Sequence, residues 1–274
     1  RVTFLDVGQG DSAVIELPDG TVTLIDGGAT YERFDMGRSV VAPFLWNRGI
    51  RSIDHVIGTH PQLDHVGGLA WILAHFQVEK FWTNGAARQE EGRLISEGPA
   101  CRMVVLNPQP RPESSISAKS ESLNNLSVVT ELVCREQRVL FTGDIEREAL
   151  TRLTHSGNSA HIALLKVPHH GAKSSLERRW LETIRPAVGV VSAGRRNPYG
   201  HPAGEVLAAY QAVETQVWRT DRDGAIWADL DLTRQELSMH STREWILQPA
   251  LPSADIWSVE QDNLRRLWRR WNWT

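Results

Sequence analysis

An α/β architecture of two β-sheets packed face to face, with helices on the outer side of each, is predicted by three observations. Each half of the chain runs through strand-like apolar segments and then into helical ones. Tight-turn sequences separate the strands, and most apolar runs stop at a loop that carries Asp or His. With 274 residues, 41% of them hydrophobic, the chain is long enough to bury a substantial core.

Residues 2–7 read as a strand, followed by the glycine-rich turn Gly8-Gln9-Gly10-Asp11-Ser12. Residues 13–17 and 22–26 form the next two strands, joined at the hairpin dipeptide Asp19-Gly20. In 36–48, Val40, Val41, Phe44 and Leu45 fall at helical spacing and Gly49 is a stop. Residues 53–58 are a short strand that delivers the loop His60-Pro61-Gln62-Leu63-Asp64-His65 to a helix over 66–76, near whose positive dipole end Asp64 then lies. Strand and helix candidates alternate as far as 103–106, and 107–125, rich in Pro and Ser, reads as a long surface loop. A second hairpin, 126–134 with 139–142, ends in Gly143-Asp144, as the strand Leu24-Ile25 ends in Asp26-Gly27. A helix over 147–154, a strand over 163–167, Pro168-His169-His170-Gly171, a helix over 176–184 and a strand over 187–192 follow. Asn197-Pro198-Tyr199-Gly200-His201-Pro202, a helix over 205–213 and a β-rich end complete the pattern, with no exact internal repeat.

A formal charge of -3 argues against a surface built throughout to hold nucleic acid, so any polyanion is handled locally. Cys101 and Cys134 are too few and too far apart for a metal motif or a disulfide framework, and are expected to be two core cysteines. No apolar run is long enough to span a membrane and no signal peptide opens the chain. The start at Arg1-Val2-Thr3-Phe4, already in a strand pattern and without an initiator Met, predicts a portion of a longer protein. Residues 1–248 are expected to form one domain and 249–274 an appended tail.

The loop 60–65 concentrates metal-competent side chains, imidazole and carboxylate, of the kind that suit Zn²⁺ or Mn²⁺. A polar helix cap would need only one such group. Asp26, Asp144, the pair His169-His170 and His201 also sit in loops that end apolar runs, as ligands gathered on one edge of a scaffold would. Taken singly, a strand-end Asp such as Asp26 is more often a turn former, and His201 before proline more often a loop histidine.

Asp26 in Leu-Ile-Asp-Gly-Gly, His60-x-x-x-Asp64-His65 before Gly-Gly, and Asp144 in Phe-Thr-Gly-Asp resemble the ordered metal motifs of the metallo-β-lactamase fold. Phe4-Leu5-Asp6-Val7-Gly8-Gln9-Gly10-Asp11-Ser12, Lys166-Val167-Pro168-His169-His170-Gly171 and the segment 197–202 are similar to the C-terminal domain of the ComEC family of DNA-uptake competence proteins, a resemblance that covers roughly residues 1–235. It implies an αββα sandwich with one or two metal ions, Mn²⁺ or Zn²⁺, at one edge. Asp64 and His65 would serve one ion with Asp144, able to bridge to a second, and His201; His60 would serve the other. Gln62 stands where the pattern has His or Asp, and its neutral amide weakens that position. No histidine lies between His75 and Asp144, Asn124 or Asn125 being the nearest polar substitute.

The resemblance further implies hydrolysis at phosphorus, with Asp64 orienting or deprotonating water, and His170 or His169 as phosphate contact or general acid. Lys166 and Ser174 are candidate substrate contacts. His170 as the ligand in place of His201 is the competing assignment. The expected activity is a metal-dependent nuclease or phosphodiesterase acting on DNA in natural transformation, with the non-transported strand as candidate substrate. Its alternatives are a catalytically weak DNA-binding or scaffolding module, or a hydrolase of a smaller phosphodiester or ester. Expected partners are DNA in single-stranded form and the membrane channel part of the same parent chain. The domain would then be monomeric in isolation and belong to a bacterial inner-membrane protein, on its extracytoplasmic side. In the tail, Arg265, Arg266, Arg269 and Arg270 interleave with Trp268, Trp271 and Trp273. That pattern could stack on single-stranded nucleic acid, or form an amphipathic helix that docks on the domain or a partner.

Overall fold

The computed structural model describes residues 1–32, 34–83, 94–108, 122–155 and 161–243, and the tail 249–274 lies outside them. In the first half, strands β1 (Val2–Phe4), β2 (Ala13–Glu16) and β3 (Val22–Ile25) form an antiparallel meander. The short pair β4 (Thr30–Tyr31) and β5 (Phe34–Asp35) leads through a π-helical turn, Gly37–Val41, into helix α1 (Ala42–Asn47). Strand β6 (Ser52–Gly58) then runs parallel to β3, and after helices α2 (Leu63–Val66) and α3 (Leu69–His75) strand β7 (Gln77–Thr83) runs parallel to β6.

The second sheet begins with β8 (Leu94–Glu97), β9 (Cys101–Asn107), β10 (Val129–Cys134) and β11 (Gln137–Phe141), all antiparallel to their neighbours. Helix α4 (Arg147–His155), strand β12 (Leu164–Lys166), helix α5 (Arg178–Ile184), strand β13 (Val188–Val191), helix α6 (Gly204–Ala212) and strand β14 (Gln216–Arg219) follow, with β11 to β14 parallel. The chain then crosses back: β15 (Ile226–Asp231) pairs with β1, Ala228 opposite Val2, and β16 (Glu236–Ser241) pairs with β15. The sheet orders are β16-β15-β1-β2-β3-β6-β7 and β14-β13-β12-β11-β10-β9-β8. This is the expected αββα sandwich.

Strand alternation builds the layers. Ala13, Ile15 and Ile25 point inward to meet Met103, Val105 and Phe141 of the other sheet, with Phe4 and Phe141 6.1 Å apart across the sandwich. Val14 and Leu24 point outward and pack under Leu45, Leu69 and Ile72 of the helices. On the opposite outer face Leu140 and Leu165 meet Leu150, Trp180 and Leu181. Among the described residues no helix is long and apolar enough to cross a membrane.

Three expectations are corrected. The helix predicted from 66 starts at Leu63, because extended Gln62 offers its carbonyl to the N–H groups of both His65 and Val66, so Asp64 lies inside the first turn. The predicted surface loop 107–125 is partly interior, since Asn107, Asn124 and Asn125 are buried; its residues 109–121 lie outside the described ones. Cys101 and Cys134 are core residues as expected, but they face each other across β9 and β10 and are joined in a disulfide.

Candidate metal centre

Parallel strands place their carboxyl ends on one edge, where ligands of α/β proteins collect. Asp26 follows β3, Thr59 and His60 follow β6, Asp144 follows β11, His169 and His170 follow β12, and Ser192 follows β13. The turn after β1 adds Asp11. Backbone contacts lock these loops together: Asp11 N–H donates to the Asp64 carbonyl (3.2 Å), Gly27 N–H to that of His65 (2.7 Å) and Gly68 N–H to that of Gly28 (2.9 Å). A Cβ at Gly10, where φ is +139°, would collide with the Asp64 carbonyl. Asp26, His169 and His170 all have left-handed backbone, with φ of 58°, 48° and 53°, so strain concentrates at this edge.

Two imidazoles are aimed by their far nitrogens. His65 Nδ1 donates to Asp26 Oδ2 (2.8 Å), and Asp26 is itself fixed by Thr59, whose N–H donates to Oδ1 (2.8 Å) and whose hydroxyl donates to Oδ2 (2.7 Å). His170 Nδ1 donates to the Ser192 carbonyl (2.8 Å). Both Nε2 atoms then turn toward carboxylates, as metal-bound histidines held by an outer partner do. His65 Nε2 is 3.2 Å from Asp144 Oδ2 and 4.0 Å from Asp64 Oδ2; His170 Nε2 is 3.3 and 3.6 Å from the same two oxygens.

Three of these four spacings lie close to the edges of a tetrahedron around one ion, about 3.3–3.6 Å for bonds of about 2.0–2.2 Å, and the His65–Asp64 edge is longer. Moreover, Nε2 of His65 and His170 and both carboxylate oxygens of Asp144 are buried without a hydrogen-bond partner. Most buried polar atoms in proteins are satisfied, and four unsatisfied imidazole and carboxylate atoms gathered in one place fit a divalent cation.

The electrostatics agree. Burial disfavours a charged His65, but Asp144, Asp26 and Asp11 outweigh it and push its pKa up to about 10. His170 is likewise raised against its burial by Asp144 and Asp11. Burial alone would raise the Asp144 carboxyl, yet His170 and His65 hold it well below the usual carboxylate range. Beneath them the Lys166 ammonium pairs with Asp11, touches the Gly143 carbonyl (3.3 Å) and lies 3.7 Å from Asp144 Oδ1. The pocket therefore draws positive charge inward.

The sequence-predicted residues divide into three groups. Asp64, His65 and Asp144 converge, with His60 in contact through a group formed by His60, His65 and Asp144. His170 takes the position expected of His201: it is 2% exposed and belongs to the converging donors. His201 is in none of the donor groups found among the described residues. Asn197 pins its backbone, accepting from its N–H (3.0 Å) and donating to its carbonyl (2.7 Å), and its ring stacks on Tyr199 instead. His169 and Ser174 stand at the rim, with Ser174 Oγ 3.3 Å from His169 Nδ1. Lys166 is corrected from substrate contact to interior ion pair, because its strand position points it between the sheets, 4% exposed.

Asp11 and Thr59 were not among the expected site residues. A lone Asp in a glycine turn and a Thr beside His60 carry no metal-like spacing, and only the fold brings them to the centre.

Residues 5–113 match the metallo-beta-lactamase superfamily. ComE operon protein 3 of Bacillus subtilis is 31% identical over 260 residues, covering 82% of this chain and 32% of that protein. Recombination protein 2 of Haemophilus influenzae is 28% identical over 245 residues, covering 89% of this chain and 30% of that protein. The chain thus spans about a third of the length of these relatives. Among solved structures, the metallo-beta-lactamase fold protein YhfI of Bacillus subtilis superposes with a TM-score of 0.50 at 9% identity, over 80% of this chain and 96% of that one. The chain belongs to the metallo-β-lactamase superfamily and is a relative of the ComEC-type competence proteins.

Proposed function

We propose that this domain is a metal-dependent hydrolase of DNA phosphodiester bonds, working on single-stranded DNA within a longer protein that carries DNA across a membrane. The observation that supports it most is the convergence of Asp64, His65, Asp144 and His170 with their inward atoms unsatisfied. A divalent cation bound there supplies positive charge against phosphate oxygens and makes a neighbouring water acidic.

The chain's own residues divide the remaining work. Asp64 is the half-exposed member of the donor set, its side chain 28% accessible, so one of its oxygens can face the ion while the other meets incoming water, orients it and takes its proton. His169, kept neutral by burial, stands at the rim beside Ser174 and can donate an N–H to a phosphate oxygen. Asp26 and Ser192 hold the two inner imidazoles in one orientation. Water attacks phosphorus, the ester P–O bond breaks, and the departing oxygen takes a proton.

The location follows similar reasoning. A buried disulfide in a chain with no other cysteine suits an oxidising compartment, which supports the extracytoplasmic side. The test is titration of the purified domain with Mn²⁺, Zn²⁺ or Mg²⁺ on single- and double-stranded oligonucleotides, scored against Asp64→Ala. Strand shortening that needs metal and is lost in the variant is expected; none with any metal overturns the reading. DNA binding without turnover is a second reading, favoured by the hydrogen bond that takes up Gln62. It predicts equal DNA retention by both proteins and cleavage by neither.

A further inference from the structure

We propose that this chain holds one divalent cation rather than two, on Asp64, His65, Asp144 and His170, and that a hydrogen-bonded amide pair, Gln62 with Asn124, closes the neighbouring position to a second ion. The inference rests on the metal-dependent reading above and concerns how many ions that site accepts.

Three independent features carry it. First, Gln62 Nε2 donates to Asn124 Oδ1 at 2.8 Å, which turns the two amides toward each other and uses one donor of Gln62 and one lone pair of Asn124. They are neutral amides, and the carbonyl of Asn124 is already an acceptor. Secondly, the pair is braced from behind. Asn124 and Asn125 sit in one 3₁₀ turn, where Asn125 Oδ1 accepts from Glu146 N–H (2.8 Å) and its Nδ2 donates to Glu148 (3.0 Å). These bonds fix the turn that carries Asn124.

Thirdly, the carboxylate that would have to be shared is already divided. Asp144 Oδ2 faces His65 and His170 at 3.2 and 3.3 Å, while Oδ1 faces the Lys166 ammonium at 3.7 Å. A second ion would need that second oxygen and would sit beside a buried cation that Asp11 holds in place. What remains is the His60 imidazole, whose Nε2 is buried without a partner. One imidazole, at most a neutral amide oxygen from Gln62 and part of one carboxylate make a weak donor set for a first-row cation, because the amide brings no charge.

The experiment counts ions. The chain is equilibrated with excess Zn²⁺ or Mn²⁺, passed through a desalting column, and measured by native mass spectrometry and elemental analysis. One ion per chain is expected, still one in His60→Ala, and two in the double variant Gln62→His with Asn124→His. Two ions in the unaltered chain, one of them lost in His60→Ala, overturns the proposal. So does a double variant that folds, by circular dichroism, and still takes one. Should the double variant fail to fold, Gln62→Asp alone carries the test: this half-exposed position tolerates the change, and a second, weaker ion is expected, with its absence counting against the amide pair. An unaltered chain that retains no ion overturns the metal reading itself, a separate result.

Discussion

The two sides of the site are built from similar residue types and differ in how their hydrogen bonds are spent. On one side His65 and His170 give their Nδ1 protons to Asp26 and to the Ser192 carbonyl, which leaves their Nε2 atoms unmatched and facing Asp144 and Asp64. On the other, Gln62 and Asn124 satisfy each other, and only His60 keeps an unmatched nitrogen. A buried polar atom with no partner costs about 1–3 kcal/mol, so a cluster of them persists where something else completes it. The contrast teaches that residue type proposes a ligand, while an unsatisfied atom that also converges with other donors identifies one.

The comparison breaks first at the shared carboxylate. Asp144→Ala should abolish metal retention, since Oδ2 lies against both inner imidazoles; an unchanged ion count after desalting would remove Asp144 from the donor set. Lys166→Met strands the Asp11 carboxylate in the interior, and loss of one partner of a buried pair costs about 3–5 kcal/mol, readable as a lower urea midpoint. A loss under about 1 kcal/mol would mean that Asp11 finds another counter-charge.

Asp26→Asn sharpens the comparison by disturbing the support of His65 and its Thr59 brace while leaving the inward-facing donors in place. It should weaken metal affinity about 10–100-fold in competition with a chelator, the range for outer partners of ligating histidines, while the fold is kept. The last effect is one of pH. Held near a pKa of about 10 against 6.5 in the unfolded chain, His65 adds stability to the metal-free protein. That contribution is complete below about pH 6.5 and fades as pH rises through about 10. Metal uptake runs the opposite way, because the ion must displace protons from His65 and His170, so affinity rises with pH. Thermal melts with and without Zn²⁺ from pH 6 to 10 should show the gap between the two forms widening.

Asp64, His65 and Asp144 were legible in the sequence because each stands in a dense motif at a strand end. The layer order was legible too, since alternation in residues 13–17 and 22–26 assigns opposite faces to Ile15 and Val14. Asp26 taken singly reads as a turn former; its place at the centre depends on Thr59 and His65, thirty and more residues away, closing around it. Spacing favours His201 over His170 as the ligand and the structure reverses that order, because the choice turns on which ring Ser192 and Asn197 restrain. Lys166 was misread for a simpler reason: a lysine at a strand end looks like a surface group until a buried Asp11 is found opposite.

The disulfide lies at the far end of β9 and β10 from the metal centre, and its effect is one of covalent topology. Cys101 and Cys134 close a ring of chain that contains Asn124, the partner of Gln62, and all of 109–121. A single protease cut anywhere inside that ring opens a loop without releasing a fragment. Both cut ends remain tied to the same strand pair, so a nicked molecule keeps the segment that bears Asn124, and with it the means of holding its ion count, until a reductant parts the two sulfurs.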